Sequence, residues 1–246
     1  MRAFLVALQF LTRVPVRFAD SPSPQTVARS LLWYPVVGLL IGLMLWLLSR
    51  LLDGQAPLLS AALILSAWVG ISGALHLDGL ADCADAIVGG RGNRERMLAI
   101  MKDAAAGPIG VSAIVLVLML KLGALSSAHD WPTLVLPPLL ARGLVPLLFL
   151  STPYVRRDGL GSAMAEHLPK NVLVPVLGIG GLATLVATPL AAMLALLAAA
   201  AVLWLLRAAA IRQLDGFTGD VAGALVELAE TTTLVALVLV SSGHST

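Results

Sequence analysis

Four aspartates, Asp78, Asp82, Asp85 and Asp103, fall inside the stretch His76–Gly110, between segments that are almost uniformly apolar. On a helix that turns 100° per residue, the first three come within about 60° of one another. Like charges stacked at this spacing oppose the helix by about 0.2–0.5 kcal/mol per pair, unless a cation sits among them. The bland alternative is a solvated acidic face, but carboxylates next to membrane-embedded segments mark function. Mg²⁺ is hard, takes oxygen ligands, and is held by a few carboxylates together with substrate phosphates and water. The expected ligands are therefore Asp78, Asp82 and Asp85, with Asp103 as a further or outer ligand. Where phosphoryl groups move, the protein positions reactants and neutralises charge. Asp82, Asp85, Asp103 and Lys102 form the candidate catalytic set, and Arg91, Arg94 and Arg96 on the same loop could hold substrate phosphate. Anchoring to the membrane surface is an equally good account of each of these three arginines.

A second constellation opens the last apolar segment, LDGFTGDVAGALVELAE at residues 214–230. Asp220 and Glu227 share a helix face and are read as substrate-binding, with Glu230 deeper; Glu227 and Glu230 as buried structural partners of a cation is an equally good account. Arg142 is the one basic residue in the middle of an apolar run. Counted from Leu150 and Val221, Arg142 and Glu230 both lie roughly 12–14 Å into the bilayer at 1.5 Å per residue. An unpaired charge there costs at least ~2.5–3.5 kcal/mol. Arg142 and Glu230 are accordingly expected to form a structural pair, with Glu227 as the alternative acceptor. The loop Tyr154–Gly161 adds Arg157 as a candidate phosphate contact, and an ordinary solvated connection is an equally good account of it. His76 adjoins the aspartates as a ligand or base, or as an ordinary interfacial histidine.

The elements that must position these residues follow from composition. Of 246 residues 59% are hydrophobic and 12% charged, where soluble domains carry about 25% charged residues. The expected fold class is all-α, a polytopic membrane helical bundle. Apolar runs at Leu31–Ser49, Leu58–His76, Pro108–Leu125, Pro132–Leu150, Val172–Ala187, Leu190–Leu206 and Val221–Val240 give about seven spans. The fifth is the weakest, because Pro175 and the glycines 178, 180 and 181 interrupt it. The N-terminal MRAFLVALQFLTRVPVR has an apolar run too short to cross, interrupted by Pro15 and Arg17, and reads as an interfacial or re-entrant helix. With the N-terminus cytoplasmic, 13 of the 16 Lys and Arg fall on cytoplasmic loops, leaving Arg50 and Lys121 opposite and Arg142 within a span. This orientation places the acidic site on the cytoplasmic face of the plasma (inner) membrane and the C-terminus outside. The scattered basic residues exclude a nucleic-acid surface despite a pI near 9.0. Cys83 is the only cysteine, so no disulfide forms within the chain. No linker divides residues 1–246, which read as a single integral membrane domain.

HLDGLADCADA (76–86), MKDAAAGPIGV (101–111), YVRRDGLG (154–161) and DGFTGDVAGALVELAE (215–230), in this order, resemble the cobalamin synthase family of adenosylcobinamide-GDP ribazoletransferases. The resemblance covers essentially the whole chain. It implies Mg²⁺-dependent joining of adenosylcobinamide-GDP to α-ribazole or its 5′-phosphate, with release of GMP and formation of adenosylcobalamin or its 5′-phosphate. It implies corrinoid and nucleotide small molecules and the lipid bilayer as partners, and leaves room for a homo-oligomer and for association with other cobalamin-pathway enzymes. The chain departs from the family pattern at Ala86, where glycine is more usual, and at Ala104–Ala105, where a polar and a basic residue are common. A CDP-alcohol phosphotransferase of phospholipid synthesis is the alternative. Its pattern D-x2-D-G-x2-A-R-x8-G-x3-D-x3-D matches Asp82, Asp85 and Asp103 and fails at Ala86, Gly89–Gly90, Ala99 and Gly107. A cation-coupled transporter is the non-enzyme alternative, and the absence of an inverted repeat argues against it.

Overall fold

A computed structural model describes residues 1–128, 130–156 and 160–242. The described residues form helices joined by short loops, and the only β-pairing among them is an isolated bridge. In chain order the helices are α1 (Arg2–Leu11), α2 (Pro24–Arg29), α3 (Tyr34–Leu51), α4 (Pro57–Ser72), α5 (Leu75–Gly90), α6 (Arg94–Ile100), α7 (Pro108–Leu125), α8 (Trp131–Ser151), α9 (Leu160–Glu166), α10 (Lys170–Ala187), α11 (Pro189–Leu214) and α12 (Gly219–Ser242). A single 3₁₀ turn, Ser30–Trp33, joins α2 to α3. Six segments are long and apolar enough to cross a membrane, and a seventh is gained if α4 and α5 count as one broken span. The protein is a polytopic all-α membrane protein. Helices prevail because hydrocarbon offers the backbone no hydrogen-bond partners, so each span must satisfy its own. The same constraint keeps α10 helical through Pro175.

α8 and α12 form the centre, with 72% and 67% of their apolar windows buried, against 11% for α10 and 17% for α11 at the periphery. α3 lies directly on α8. A Cβ at Gly42 would stand 2.7 Å from the Val135 Cα, and one at Gly38 would strike the Pro138 carbonyl, so only glycine allows this approach. α1 buries Val6, Ala7 and Leu11 against this assembly. α4 has 16 residues and rises only about 24 Å, at 1.5 Å per residue. The chain then turns by 86° through Gly73 and Ala74, both at positive φ, into α5. α5 therefore leaves the spanning direction and runs across the starts of α7 and α12 at one end of the bundle.

Inside the bundle, four charged side chains from three helices neutralise one another. Lys121 on α7 donates to Glu227 Oε2 at 2.7 Å and Glu230 Oε2 at 2.5 Å. Arg142 on α8 is ion-paired through Nη1 with Glu230 Oε1. Trp68 on α4 donates its indole N–H to the same oxygen at 3.1 Å, and its ring lies 4.6 Å from Lys121 Nζ. All five side chains are buried. Arg142 and Glu230 thus meet as expected, but Arg142 is not the only deep cation. Lys121 is no loop residue of the opposite face. It lies thirteen residues into α7, about 20 Å from its start, and the Lys/Arg remaining outside the Arg-rich loops and the core is Arg50. Two cations facing two carboxylates leave no net charge in hydrocarbon, and the network ties α4, α7, α8 and α12 together.

Removing one member leaves an uncompensated buried charge, which costs about 3–5 kcal/mol. Lys121→Ala and Arg142→Ala should each sharply lower the fraction of protein that remains monodisperse after mild heating in detergent. The exposed Lys102→Ala should leave it unchanged.

Candidate functional site at the crossing of α5 over α12

Turned out of the spanning direction, α5 can cross the start of α12 because residue 79 has no side chain: a Cβ there would lie 2.7 Å from the Asp220 carbonyl oxygen. The crossing sets Asp220 beside the aspartates of α5. Asp82 experiences Asp78, Asp220 and Asp85 as neighbouring negative charges, with the Arg156 guanidinium opposing them. Burial first, and then these carboxylates, push the Asp82 carboxyl up to about 6. Asp78 is exposed, and Asp82 and Asp220 are half-buried.

Asp85 does something different from the expected shared ligation. Its carboxylate accepts from Gly107 N at 2.6 Å and from Gly110 N at 3.0 Å. It thereby caps the start of α7, where backbone N–H groups lack intrahelical partners and the helix dipole favours an anion. The three aspartates of α5 are thus divided, with Asp85 holding α7 in place while Asp82 and Asp78 face Asp220. Among the described residues, no three acidic, histidine or cysteine groups converge closely enough to enclose a metal ion. The donor set nevertheless suits Mg²⁺, which takes one or two carboxylates and fills its shell with phosphate oxygens and water. A cation here would relieve the repulsion that raises Asp82.

Arg156 completes the cluster, and two loops hold it there. Tyr154 and Phe217 form a parallel bridge, with Val155 N donating to Phe217 O at 3.0 Å and Phe217 N to Pro153 O at 2.9 Å. Phe149, Tyr154 and Phe217 pack ring against ring around it. Arg156 Nη2 then reaches Asp220 Oδ2 at 2.6 Å and the Met101 carbonyl at 3.1 Å, and Thr218 Oγ1 donates to the same carboxylate at 3.2 Å. Arg156 Nε is buried and has no hydrogen-bond partner among the described residues, so the guanidinium keeps a donor for an incoming anion. The arginine expected here from the sequence, Arg157, lies outside the described residues. Adjacent arginines in an irregular loop carry no periodicity to tell them apart, and only the pairing with residues 215–218 singles out Arg156.

The remaining candidates are dispersed around this cluster. Lys102 and Asp103 are exposed and directly follow Met101, the neighbour of Arg156, and Asp103 Oδ1 accepts from Ala105 N at 3.1 Å. Arg94 is turned to the end of α11, donating to Leu214 O at 2.9 Å and pairing with Asp215 at 3.1 Å. Arg91, just after α5, and Arg96, in the first turn of α6, are exposed. Glu227 is not brought to the cluster: two turns down α12 it points into the bundle, where Lys121 takes its charge. A cavity of about 870 Å³ opens beside Arg156 and runs inward along α12, with His76 on its wall. Anionic oxygens beside a half-free guanidinium, with a cavity adjoining, can bind a phosphorylated substrate through a cation and hold a second reactant next to it.

A family model described as cobalamin-5-phosphate synthase matches residues 3–238. An adenosylcobinamide-GDP ribazoletransferase of Pseudomonas aeruginosa is 56% identical over 243 residues, covering 97% of this chain and 98% of the relative. One from Ectopseudomonas mendocina is 55% identical over 238 residues, 95% and 97% of the two chains. One from Pseudomonas fluorescens is 50% identical over 242 residues, 97% and 100%. No solved structure matches the chain.

Asp82 should titrate near pH 6, being neutral below and charged above. Asp78→Asn removes one of the charges that raise it and should move the titration to lower pH. The infrared band of the protonated carboxyl, followed against pH with Asp82→Asn as the assignment control, measures both.

Proposed function

The chain belongs to the cobalamin-5-phosphate synthase family, and from that premise we propose that it joins adenosylcobinamide-GDP to α-ribazole or its 5′-phosphate. A hydroxyl oxygen of the ribazole forms a bond to the phosphorus attached to cobinamide. The bond from that phosphorus to the bridging oxygen breaks, and GMP leaves. The observation that carries this reading is the convergence of Asp78, Asp82, Asp220 and Arg156 where α5 crosses α12. Arg156, with Nε unspent, holds non-bridging oxygens of the diphosphate. Asp220, set between the α5 carboxylates and Arg156, takes the proton of the attacking hydroxyl. Mg²⁺ would be held by Asp78 and Asp82 with phosphate oxygens, where its chemistry is to neutralise the diphosphate and ease departure of GMP.

The site lies at the end of the bundle that carries the Arg-rich loops, Arg91, Arg94 and Arg96 on one connection and Arg156 on another. Loops of this composition stay on the cytoplasmic side, so the reaction is assigned to the cytoplasmic face of the plasma (inner) membrane.

Purified protein given Mg²⁺, adenosylcobinamide-GDP and α-ribazole 5′-phosphate should release GMP only when both organic substrates are present. Asp82→Asn should lower kcat by at least about 10²-fold, the usual size of a lost electrostatic contribution to a transition state, while the protein stays folded. Release of CMP from a CDP-alcohol donor, with none of GMP from the cobinamide donor, would replace this reading with the phospholipid one.

A further inference from the structure

The cavity beside Arg156 has walls from α1, α2, α3, α5, α8, α9 and α12. Its volume of about 870 Å³ lies within the roughly 300–1,000 Å³ typical of small-molecule sites. Its walls are mainly apolar and aromatic, with Phe10, Tyr34, Phe149 and Val226 among them, and His76 and Arg156 bring ionisable groups. Arg156 ties the cavity to Asp220, so the cavity opens onto the phosphoryl site.

His76 is 8% exposed, and its Nδ1 has no hydrogen-bond partner among the described residues. A buried polar nitrogen left unpaired is unfavourable, and native structures rarely keep one without a reason. His76 lines the cavity, and its imidazole keeps hydrogen-bonding capacity that the described residues do not use.

We infer that this cavity binds the acceptor nucleoside, enclosing its flat, largely apolar aromatic base, and that His76 donates a hydrogen bond to the free ring nitrogen of that base. The inference rests on the proposed function and names the subsite for one of its two reactants. The chemistry of the walls selects this occupant. Guanine carries donors and acceptors around its edge, and a corrin carries amides around its whole periphery, so either would strand polar groups against Phe10, Phe149 and Val226. A benzimidazole-type base has apolar edges and a single ring nitrogen with a lone pair. With the base inside, the sugar lies toward Arg156 and Asp220, where its hydroxyl meets the phosphoryl group. His76 is then a specificity-determining residue.

The test compares a benzimidazole ribonucleoside with its indole counterpart, in which the free ring nitrogen is replaced by C–H. Binding is measured by equilibrium dialysis without donor, and KM for each reactant is measured in turnover. The wild-type protein should favour benzimidazole by roughly tenfold in Kd, about the strength of one hydrogen bond. His76→Ala should abolish the preference and raise the acceptor KM without changing the donor KM, and His76→Gln should restore part of it. Ala222→Phe, which narrows the cavity from α12 without altering charge, should weaken both nucleosides alike in protein that remains monodisperse. An unchanged preference in His76→Ala, no preference in the wild type, or unaltered binding in Ala222→Phe each overturns the assignment. Failure of GMP release by the wild type overturns the proposed reaction instead, and a His76-dependent preference in dialysis would still place the aromatic base in the cavity.

Discussion

A charge in hydrocarbon must be neutralised, and this constraint orders the whole molecule. Lys121, Arg142, Glu227 and Glu230 satisfy it as a closed set of two cations and two anions, with Trp68 completing the hydrogen bonding of Glu230. Their helices are consequently fixed in depth and rotation relative to one another. α12 in particular is pinned from two sides, by α7 through Lys121 and by α8 through Arg142. The first turn of α12, which carries Asp220 about two to three turns above the network, inherits that rigidity.

The site is the converse case. Where α5 turns out of the spanning direction and crosses α12, carboxylates from both helices gather with one guanidinium, and the balance is negative. Asp85 is neutralised by the free amides of α7, which leaves Asp78, Asp82 and Asp220 opposed by Arg156. The raised Asp82 carboxyl is a direct consequence of burial and of that excess. An anionic surplus held rigidly at the membrane edge is what a divalent cation with a phosphorylated substrate would complete. The buried network and the surface cluster are therefore two parts of one design, full compensation where no ligand comes and incomplete compensation where one does.

Much of this was legible in the chain. Seven apolar runs, the crowding of aspartates between them and the depth match of Arg142 with Glu230 all follow from hydropathy and a fixed rise per residue. Other features were hidden for physical reasons. Lys121 sits near the end of a run whose mean hydropathy barely registers one cation, so counting loop charges assigned it to the outside. Asp78, Asp82 and Asp85 share a face by periodicity, but periodicity does not say what the face meets. Asp85 meets the start of α7 and Asp82 meets α12. Glu227 shares a face with Asp220 in the same way, yet the broad face spans two environments, one at the surface and one inside. Arg156 depends on a pairing between loops distant in sequence, which no local pattern contains.

In the proposed reaction the uncompensated carboxylates at the α5–α12 crossing, and not the compensated ones below, receive the cation and the diphosphate. Mn²⁺ substitutes for Mg²⁺ and reports its own surroundings, so the most direct measurement is paramagnetic broadening of the ³¹P resonances of bound adenosylcobinamide-GDP. Wild-type protein and the fraction of Glu227→Gln that remains monodisperse should broaden both phosphorus signals, and Asp82→Asn should not. Equal broadening in wild type and Asp82→Asn, with its loss in Glu227→Gln, would contradict the account and move the cation site into the bundle.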